Sequence, residues 1–297
     1  MNFKNPPTAE EFEKYLSEIS SAHPCSKLFY CGRTALGRKI PVLVLGDAKR
    51  SALFVGATHG SEWLTALLLL RFYDEVCSCF EKGLRFCGID VGKAIAIRGI
   101  SIIPVLNPDG VEINISGSSG ALGSKDRVER LSKGDHKHWN ANSAGVDLNH
   151  NFGAGWSKLQ ILEHKAGIYG PAPRQYGGPR PFSEPETRAV CGFCSTFDIM
   201  RLWSFHSQGE EIYWYYGKNT PLKSRNIAER ISALSGYKML EPTGLASHGG
   251  LKDWYIENFC RPGFTVEIGK GENPLPIDDL DAIYEKLKRA LAEMLIL

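Results

Sequence analysis

Polar residues that can bind a metal stand at the ends of predicted apolar strands. They are His59 and Glu62 after one strand, His206 after a second and Glu267 near the end of a third. In open α/β sheets, ligands gather at the carboxyl ends of the strands. Two imidazoles and one carboxylate are a common ligand set for catalytic zinc, which keeps a further position for water. The pattern predicts a zinc site on His59, Glu62 and His206.

The elements that must position these residues can be located from hydrophobic patterns. Residues 51–58 form a continuous apolar run, which is typical of a strand buried on both faces. The spacing His59-x-x-Glu62 then requires a tight turn, and Gly60 permits it. A lone His-x-x-Glu pair is a weak signal, so the third ligand, His206, must come from a distant part of the chain.

Other segments alternate between helix and strand signals. A capping box at Thr8-Ala-Glu-Glu11 predicts an N-terminal helix, and residues 32–37 predict a turn between strands at 28–31 and 40–45. The remaining predictions are helices at 62–80, 183–196, 224–235 and 250–258 and from 278, strands at 94–105, 199–205 and 263–268, a turn at 107–110, and loops at 116–124 and 170–182. This alternation predicts an α/β sandwich that forms one domain over residues 1–297.

Composition and charge exclude several classes of protein. Hydrophobic residues make up 43% and charged residues 23%, as expected of a protein with a large core. The net charge is +2, and the sequence contains no long run of residues with the same charge, so we expect no nucleic-acid partner. The N-terminus lacks the apolar segment of a signal peptide and no later run is long enough to cross a membrane, which predicts a cytoplasmic protein with no membrane partner. The eight scattered cysteines are expected to be free thiols.

Five segments together resemble the zinc metallocarboxypeptidase family typified by the pancreatic carboxypeptidases. They are Thr58-His-Gly-Ser-Glu-Trp63, Asn107-Pro-Asp-Gly110, Gly145-Val-Asp-Leu-Asn-His-Asn-Phe152, Ser204-Phe-His-Ser207 and Phe264-Thr-Val-Glu-Ile268. The resemblance covers nearly the whole chain. Three further segments are most similar to bacterial γ-D-glutamyl-meso-diaminopimelate peptidases, which cut cell-wall peptides. They are residues 176–187, 206–214 and 252–264.

The resemblance implies both a fold and a reaction. The fold is a mixed eight-stranded sheet flanked by helices, with one Zn²⁺ per chain on His59, Glu62 and His206. The reaction is hydrolysis of the amide bond between γ-D-glutamate and a diamino acid in a muropeptide or other small peptide. In it Glu267 acts as general base on a water and then passes the proton to the leaving amine.

The chain departs from the family pattern at several substrate-facing positions. An arginine that stabilises the oxyanion is replaced by Asn140, which can still donate one hydrogen bond; His138 and Lys137 are alternative donors. The pair that holds a terminal carboxylate becomes Asn149-His150, and an imidazole does not replace a guanidinium fork. A substrate-facing tyrosine of the family is replaced by Leu245, and the nearby His248 is a candidate to bind the substrate. Two adjacent carboxylates, Glu210 and Glu211, can bind the free amine of a diamino acid, and we favour Glu211 for this role.

Two alternatives stay open at this point. The first is a zinc carboxypeptidase or deacylase that acts on ordinary peptides or acylated amino acids, since it would share the same metal ligands and base. The second is a catalytically inactive module that binds muropeptides, which the substitutions at Asn140 and His150 favour. The sequence does not predict the oligomeric state.

Overall fold

Ten strands and ten α-helices are present in the computed structural model, which describes residues 3–297. The strands are β1 (Ser26–Arg33), β2 (Lys39–Leu45), β3 (Ser51–Val55), β4 (Arg85–Phe86), β5 (Ile89–Asp90), β6 (Gly99–Ile103), β7 (Arg201–Ser207), β8 (Glu211–Tyr213), β9 (Lys238–Leu240) and β10 (Gly263–Ile268). The helices are α1 (Ala9–Ala22), α2 (Leu64–Glu81), α3 (Val91–Ile97), α4 (Pro108–Ser116), α5 (Lys125–Ser132), α6 (Trp156–Lys165), α7 (Pro185–Thr196), α8 (Lys223–Ser235), α9 (Leu251–Phe259) and α10 (Leu280–Met294).

Eight of these strands form one mixed sheet in the order β1-β2-β6-β3-β7-β10-β8-β9. The four central strands, β6, β3, β7 and β10, run parallel, while β1, β2 and β8 pair antiparallel to their inner neighbours. This is the mixed eight-stranded sheet that the family resemblance implies. Its parallel centre brings the carboxyl ends of β3, β7 and β10 to the same edge.

The central strands β6, β3 and β7 are buried along their whole length because helices cover both faces of the sheet. Alternate residues of a strand point to opposite faces, so Leu202 packs in one core and Trp203 in the other. One core lies against α1, α2, α8 and α10, and the second lies against α7 and α9. The sheet is therefore held rigidly between two helix layers.

Several predicted elements are confirmed. Helix α1 begins with the predicted capping box, in which Thr8 and Glu11 each accept a hydrogen bond from the other's backbone N–H. Strands β1 and β2 pair antiparallel around the predicted turn. Strand β10 covers the predicted residues, and α2, α8, α9 and α10 differ from the predictions by a few residues at their ends.

Three predictions on the chain between β5 and α5 are wrong in part. The predicted strand at 94–105 is shorter, because residues 91–97 form α3 and only β6 pairs with the sheet. The predicted turn at 107–110 is instead the start of α4, where the Asn107 side chain accepts from the Gly110 N–H and Pro108 takes the first helical position. The predicted loop at 116–124 is folded into 3₁₀ turns.

Some elements carry no clear signal in the sequence. Helices α5 and α6 and the short strands β4, β5, β8 and β9 were not predicted. Helix α7 begins at Pro185, two residues after the predicted start, with Glu184 as its N-cap. All eight cysteines are free thiols, and no helix in residues 3–297 is long and apolar enough to cross a membrane.

A carboxyl group is fully buried at the start of α7. Glu186 has one oxygen without a hydrogen-bond partner in residues 3–297, and the other accepts from the Asn142 amide at 3.4 Å. Burial raises the pKa of Glu186 to about 8, and the nearby Asp109 and Glu184 carboxylates add to this. The fold therefore favours the protonated form of this side chain.

We predict that Glu186→Gln becomes more stabilising as the pH rises. The unfolded carboxyl ionises near pH 4.3 and the folded one near pH 8, so the wild type loses stability across that interval, on the order of a few kcal/mol. The amide cannot ionise and loses nothing. Thermal unfolding at pH 5 and pH 8.5 measures the difference, with exposed Glu241→Gln as a control for net charge. If Glu186→Gln and wild type differ in thermal stability by the same amount at both pH values, this account is wrong.

Candidate metal centre and active site

The first two candidate ligands lie on a turn that directly follows β3. His59 precedes a 3₁₀ turn at Gly60–Glu62, and the Gly60 N–H donates to the Asn140 carbonyl at 3.0 Å. A Cβ on Gly60 would lie under 3.0 Å from backbone atoms of Gly110 and Trp139. Glycine is required here because other backbone segments approach closely. The turn brings His59 Nδ1 within 2.8 Å of the Glu62 carboxylate.

A buried side-chain amide fixes this turn to its neighbours. Asn107 donates through Nδ2 to the Thr58 carbonyl at 3.1 Å and to the carbonyls of Asn140 and Ala141 at 3.3 and 3.2 Å. Its Oδ1 accepts from the Gly110 N–H at the start of α4. The asparagine therefore holds the residue before His59 and the segment that contains Asn140 at fixed positions.

The three predicted ligands converge. Glu62 accepts from His59 Nδ1 at 2.8 Å through one carboxylate oxygen and from His206 Nδ1 at 2.9 Å through the other. Ligand atoms from all three residues lie within 4.8 Å of one another, and Glu62 and His206 are buried. The structure thus brings together residues 144 positions apart.

The far nitrogen of each histidine is held by a further residue. His59 Nε2 donates to Asp147 Oδ1 at 3.0 Å, and Ser204 Oγ contacts His206 Nε2 at 3.2 Å. Asp147 also accepts from the backbone N–H groups of Asn149 and Gln175, at 3.1 and 2.8 Å. These contacts orient both rings with Nδ1 directed at Glu62.

The ion pairs shift the titration of this cluster. Burial raises the pKa of Glu62, but the imidazoles of His59 and His206 outweigh it and lower that pKa to about 2. Burial also opposes ionisation of Asp147, yet His59 and His150 hold its pKa well below the usual range. Glu62 and Asp147 are therefore carboxylates at neutral pH.

These residues fit a zinc ion. Two nitrogens and a carboxylate form the ligand set of many catalytic zinc sites, and in such sites a carboxylate commonly supports a histidine ligand as Asp147 does here. Among the described residues, His59, Glu62 and His206 are the one group of three or more histidine, cysteine or acidic side chains that can hold a metal.

Glu267 lies beside this cluster on β10. Its Cα pairs with that of His206 on one neighbouring strand and with that of Glu211 on the other, so the three side chains share one face of the sheet. Burial, followed by repulsion from Glu62, raises the pKa of Glu267 well above the usual range. A divalent cation on the ligands would oppose that repulsion. Glu267 is thus placed to exchange a proton beside the metal site.

Asn140 lines the same cleft, and its amide is oriented by a hydroxyl group. Ser61, between the two ligands of the turn, donates through Oγ to Asn140 Oδ1 at 2.5 Å. The Asn140 Nδ2 makes no hydrogen bond within residues 3–297. The amide therefore presents a donor to the cleft.

The cleft has a volume of about 450 Å³ and is lined by all the favoured site residues. Of the two alternative donors to the oxyanion, His138 lines it and Lys137 does not. Asn149 accepts from the Leu251 N–H through Oδ1, which leaves its Nδ2 for the cleft. His150 is buried, and its Nδ1 contacts Glu163 at 2.9 Å and the Gln175 carbonyl at 3.1 Å. A carboxylate ligand would have to approach the other ring nitrogen of His150.

The two remaining predicted residues, Glu211 and His248, also line the cleft. Glu211 accepts from the Tyr213 hydroxyl at 2.7 Å and stays partly exposed. Its neighbour Glu210 instead pairs with Lys270 and Lys286 outside the cleft, so of the two carboxylates only Glu211 faces it. His248 contacts the Tyr216 hydroxyl at 3.1 Å, and burial lowers its pKa.

Several residues of the site were not predicted from the sequence. Asp147 lies within a motif that pointed to Asn149 and His150, yet nothing in the sequence paired it with His59. Ser61 was an unassigned residue between two ligands. Arg174 lines the cleft from an irregular segment, and Lys252 lines it from α9, a predicted helix for which no contact with the site was foreseen. Their roles depend on contacts between distant parts of the chain.

The sequence of the chain matches a known family and is similar to that of a known enzyme. A family model described as zinc carboxypeptidase matches residues 12–290. Gamma-D-glutamyl-L-diamino acid endopeptidase 1 of Lysinibacillus sphaericus is 32% identical over 273 residues, which cover 91% of this chain and 67% of that protein.

Solved structures share the fold at lower sequence identity. Thrombin activatable fibrinolysis inhibitor aligns with a TM-score of 0.76 and 20% identity, over 97% of this chain and 73% of that one. The murein-tripeptide amidase MpaA of Escherichia coli O157 aligns with a TM-score of 0.54 and 19% identity, over 91% of this chain and 92% of that one. These likenesses confirm the predicted α/β sandwich.

We predict that Asp147→Asn weakens zinc binding about 10- to 100-fold. An amide has one accepting oxygen, so His59 or the Gln175 N–H loses its partner, and the negative charge that supports the imidazole is removed. Competition with a chelator measures the dissociation constant. Asp135→Asn is the matched control, because Asp135 contacts the exposed His138 rather than a ligand. Equal zinc affinity of Asp147→Asn and wild type would show that Asp147 does not support the site.

Proposed function

The chain belongs to the zinc carboxypeptidase family, and we propose that it hydrolyses the amide bond between γ-D-glutamate and a diamino acid, such as meso-diaminopimelate, in peptidoglycan stem peptides. The observation that carries the proposal is the 32% identity, over 91% of the chain, to an endopeptidase named for that bond. We further propose that residues 1–297 form one catalytic domain, since one sheet and its loops carry every proposed site residue.

In the proposed reaction, His59, Glu62 and His206 hold the zinc ion. When bound, zinc acts as a Lewis acid toward the water and the scissile carbonyl. Glu267 accepts the proton of the attacking water and transfers it to the nitrogen of the leaving diamino acid. Its position beside His206 on the neighbouring strand, facing the same side of the sheet, supports this role.

The substrate-facing residues have separate proposed tasks. Asn140 donates its amide N–H to the carbonyl oxygen as negative charge develops there, and its contact with Ser61 supports this orientation. Glu211 attracts the free ammonium group of the diamino acid. Asn149 and His248, which both line the cleft, contact the bound peptide. His150 offers one ring nitrogen while Glu163 holds the other.

His150 also distinguishes this proposal from ordinary carboxypeptidase action. A neutral imidazole with one nitrogen already engaged offers at most one hydrogen bond, whereas a guanidinium grips a terminal carboxylate with two. We therefore propose that a free C-terminal carboxylate is not the main feature that this site selects.

Cleavage of a defined tripeptide tests the function. We expect zinc-loaded protein to convert L-Ala-γ-D-Glu-meso-diaminopimelate into L-Ala-D-Glu and diaminopimelate, as followed by mass spectrometry. An α-linked peptide of the same composition should be cut much more slowly. An intact γ-linked substrate after prolonged incubation would refute the proposal, and faster cleavage of α-linked peptides with a free carboxylate would favour a general carboxypeptidase.

We predict that Glu267→Gln lowers the turnover number about 10²- to 10⁴-fold without loss of bound zinc, because an amide cannot accept the proton. Turnover and zinc content are measured on the same sample. Glu229→Gln is the control for net charge, since Glu229 is exposed on α8 and does not line the cleft. Unchanged turnover in Glu267→Gln would exclude this residue as the base.

A further inference from the structure

The charges that line the cleft are unbalanced. Its acidic side chains are Glu62, Asp147, Glu211, Asp253, Glu267 and Glu272. Two lining side chains in the described part of the chain, Arg174 and Lys252, carry a permanent positive charge. Besides the metal and the lining imidazoles, these two side chains are the cations with which an anionic group of a substrate can pair in this cleft.

The two cations differ in availability. Lys252 is buried, forms an ion pair with the equally buried Asp253 and donates to the Tyr215 carbonyl at 3.0 Å. Arg174 is exposed and makes no hydrogen bond or ion pair within residues 3–297. Arg174 is thus the lining cation whose charge is not already committed to a neighbouring carboxylate.

The backbone on both sides of Arg174 is fixed to the active site. The Pro173 carbonyl accepts from the N–H groups of Asn140 and Ala141, both at 2.9 Å. On the other side, Gln175 donates its N–H to Asp147 at 2.8 Å and accepts from His150 through its carbonyl. Arg174 therefore sits between the proposed oxyanion donor and the residues that support the metal ligands.

The residue after Arg174 has a strained backbone conformation. Gln175 has a φ of 67°, in the left-handed region that side chains other than glycine seldom occupy. Such backbone strain persists where surrounding contacts hold it, as the bonds to Asp147 and His150 do here. The contacts that hold this conformation fix the backbone of Arg174 at the wall of the cleft.

The proposed substrate supplies a matching anion. A glutamate residue linked through its γ-carboxyl keeps its α-carboxylate free, on the acyl side of the scissile bond. A diamino acid on the amine side can carry a second carboxylate. A guanidinium forms two parallel hydrogen bonds with a carboxylate, which fixes its orientation as well as its position.

We propose that Arg174 binds a substrate carboxylate next to the scissile amide and so determines specificity. The inference rests on the proposed function and deepens it. Arg174 positions the substrate and takes no part in proton transfer. Its loss should therefore raise KM much more than it lowers kcat.

The test compares three substrates with the zinc-loaded wild type and Arg174→Gln. They are L-Ala-γ-D-Glu-meso-diaminopimelate, the same peptide with the glutamate α-carboxyl amidated, and the same peptide with the diamino acid carboxyl next to the scissile bond amidated. We expect one amidation to lower the wild-type kcat/KM about 10- to 100-fold. Arg174→Gln should show that loss already on the unmodified peptide and lose nothing further on the same amidation. The sensitive amidation identifies the carboxylate.

Matched variants separate this role from a general charge effect. Arg180→Gln changes the same charge in the same loop, but Arg180 does not line the cleft, so wild-type kinetics are expected. Arg174→Lys keeps the charge without the fork and should fall between wild type and Arg174→Gln. Equal sensitivity of wild type and Arg174→Gln to both amidations, or an equal defect in Arg180→Gln, would overturn the inference.

A binding measurement distinguishes failure of this inference from failure of the proposed function. Isothermal titration of the unmodified tripeptide into zinc-loaded Glu267→Gln, with and without Arg174→Gln, reports affinity without turnover. If the wild type leaves the tripeptide uncut, the proposed reaction is wrong, yet binding that depends on Arg174 still supports carboxylate recognition. Binding that is absent, or equal in the two variants, overturns it.

Discussion

One buried carboxylate, that of Asp147, connects the metal ligands to the wall of the cleft. It accepts hydrogen bonds from the His59 ring and from the backbone N–H groups of Asn149 and Gln175. These donors belong to the turn after β3, to the turn that follows Asp147 itself and to the irregular segment before α7. Since one side chain holds all three, the position of the ligand and the shape of the cleft are coupled.

The sequence predicts the metal ligands well for a physical reason. His59 and Glu62 follow a strand buried on both faces, and His206 and Glu267 lie near the ends of two more. Apolar runs of this kind are visible without a structure, and parallel strands bring their carboxyl ends to one edge. The contact between Asp147 and His59 has no such signal, because the two residues are 88 positions apart and Asp147 lies in a segment without regular secondary structure.

The wrong strand at 94–105 has a related origin. A short apolar run can be a buried strand or a buried helix face, and here the first part is α3 while the second is β6. Likewise Asn107-Pro-Asp-Gly110 has the composition of a turn, but its asparagine and proline also suit the start of a helix. Tertiary packing decides between such local alternatives.

The crowding around Gly60 has a consequence for how the chain can vary. The atoms that a side chain there would meet belong to the backbones of Gly110 and Trp139, not to side chains. A substitution elsewhere that trims a side chain creates no room beside a peptide group. No single compensating mutation can therefore restore a larger residue at position 60, and among relatives that share this turn the position should remain glycine even where the surrounding side chains have diverged.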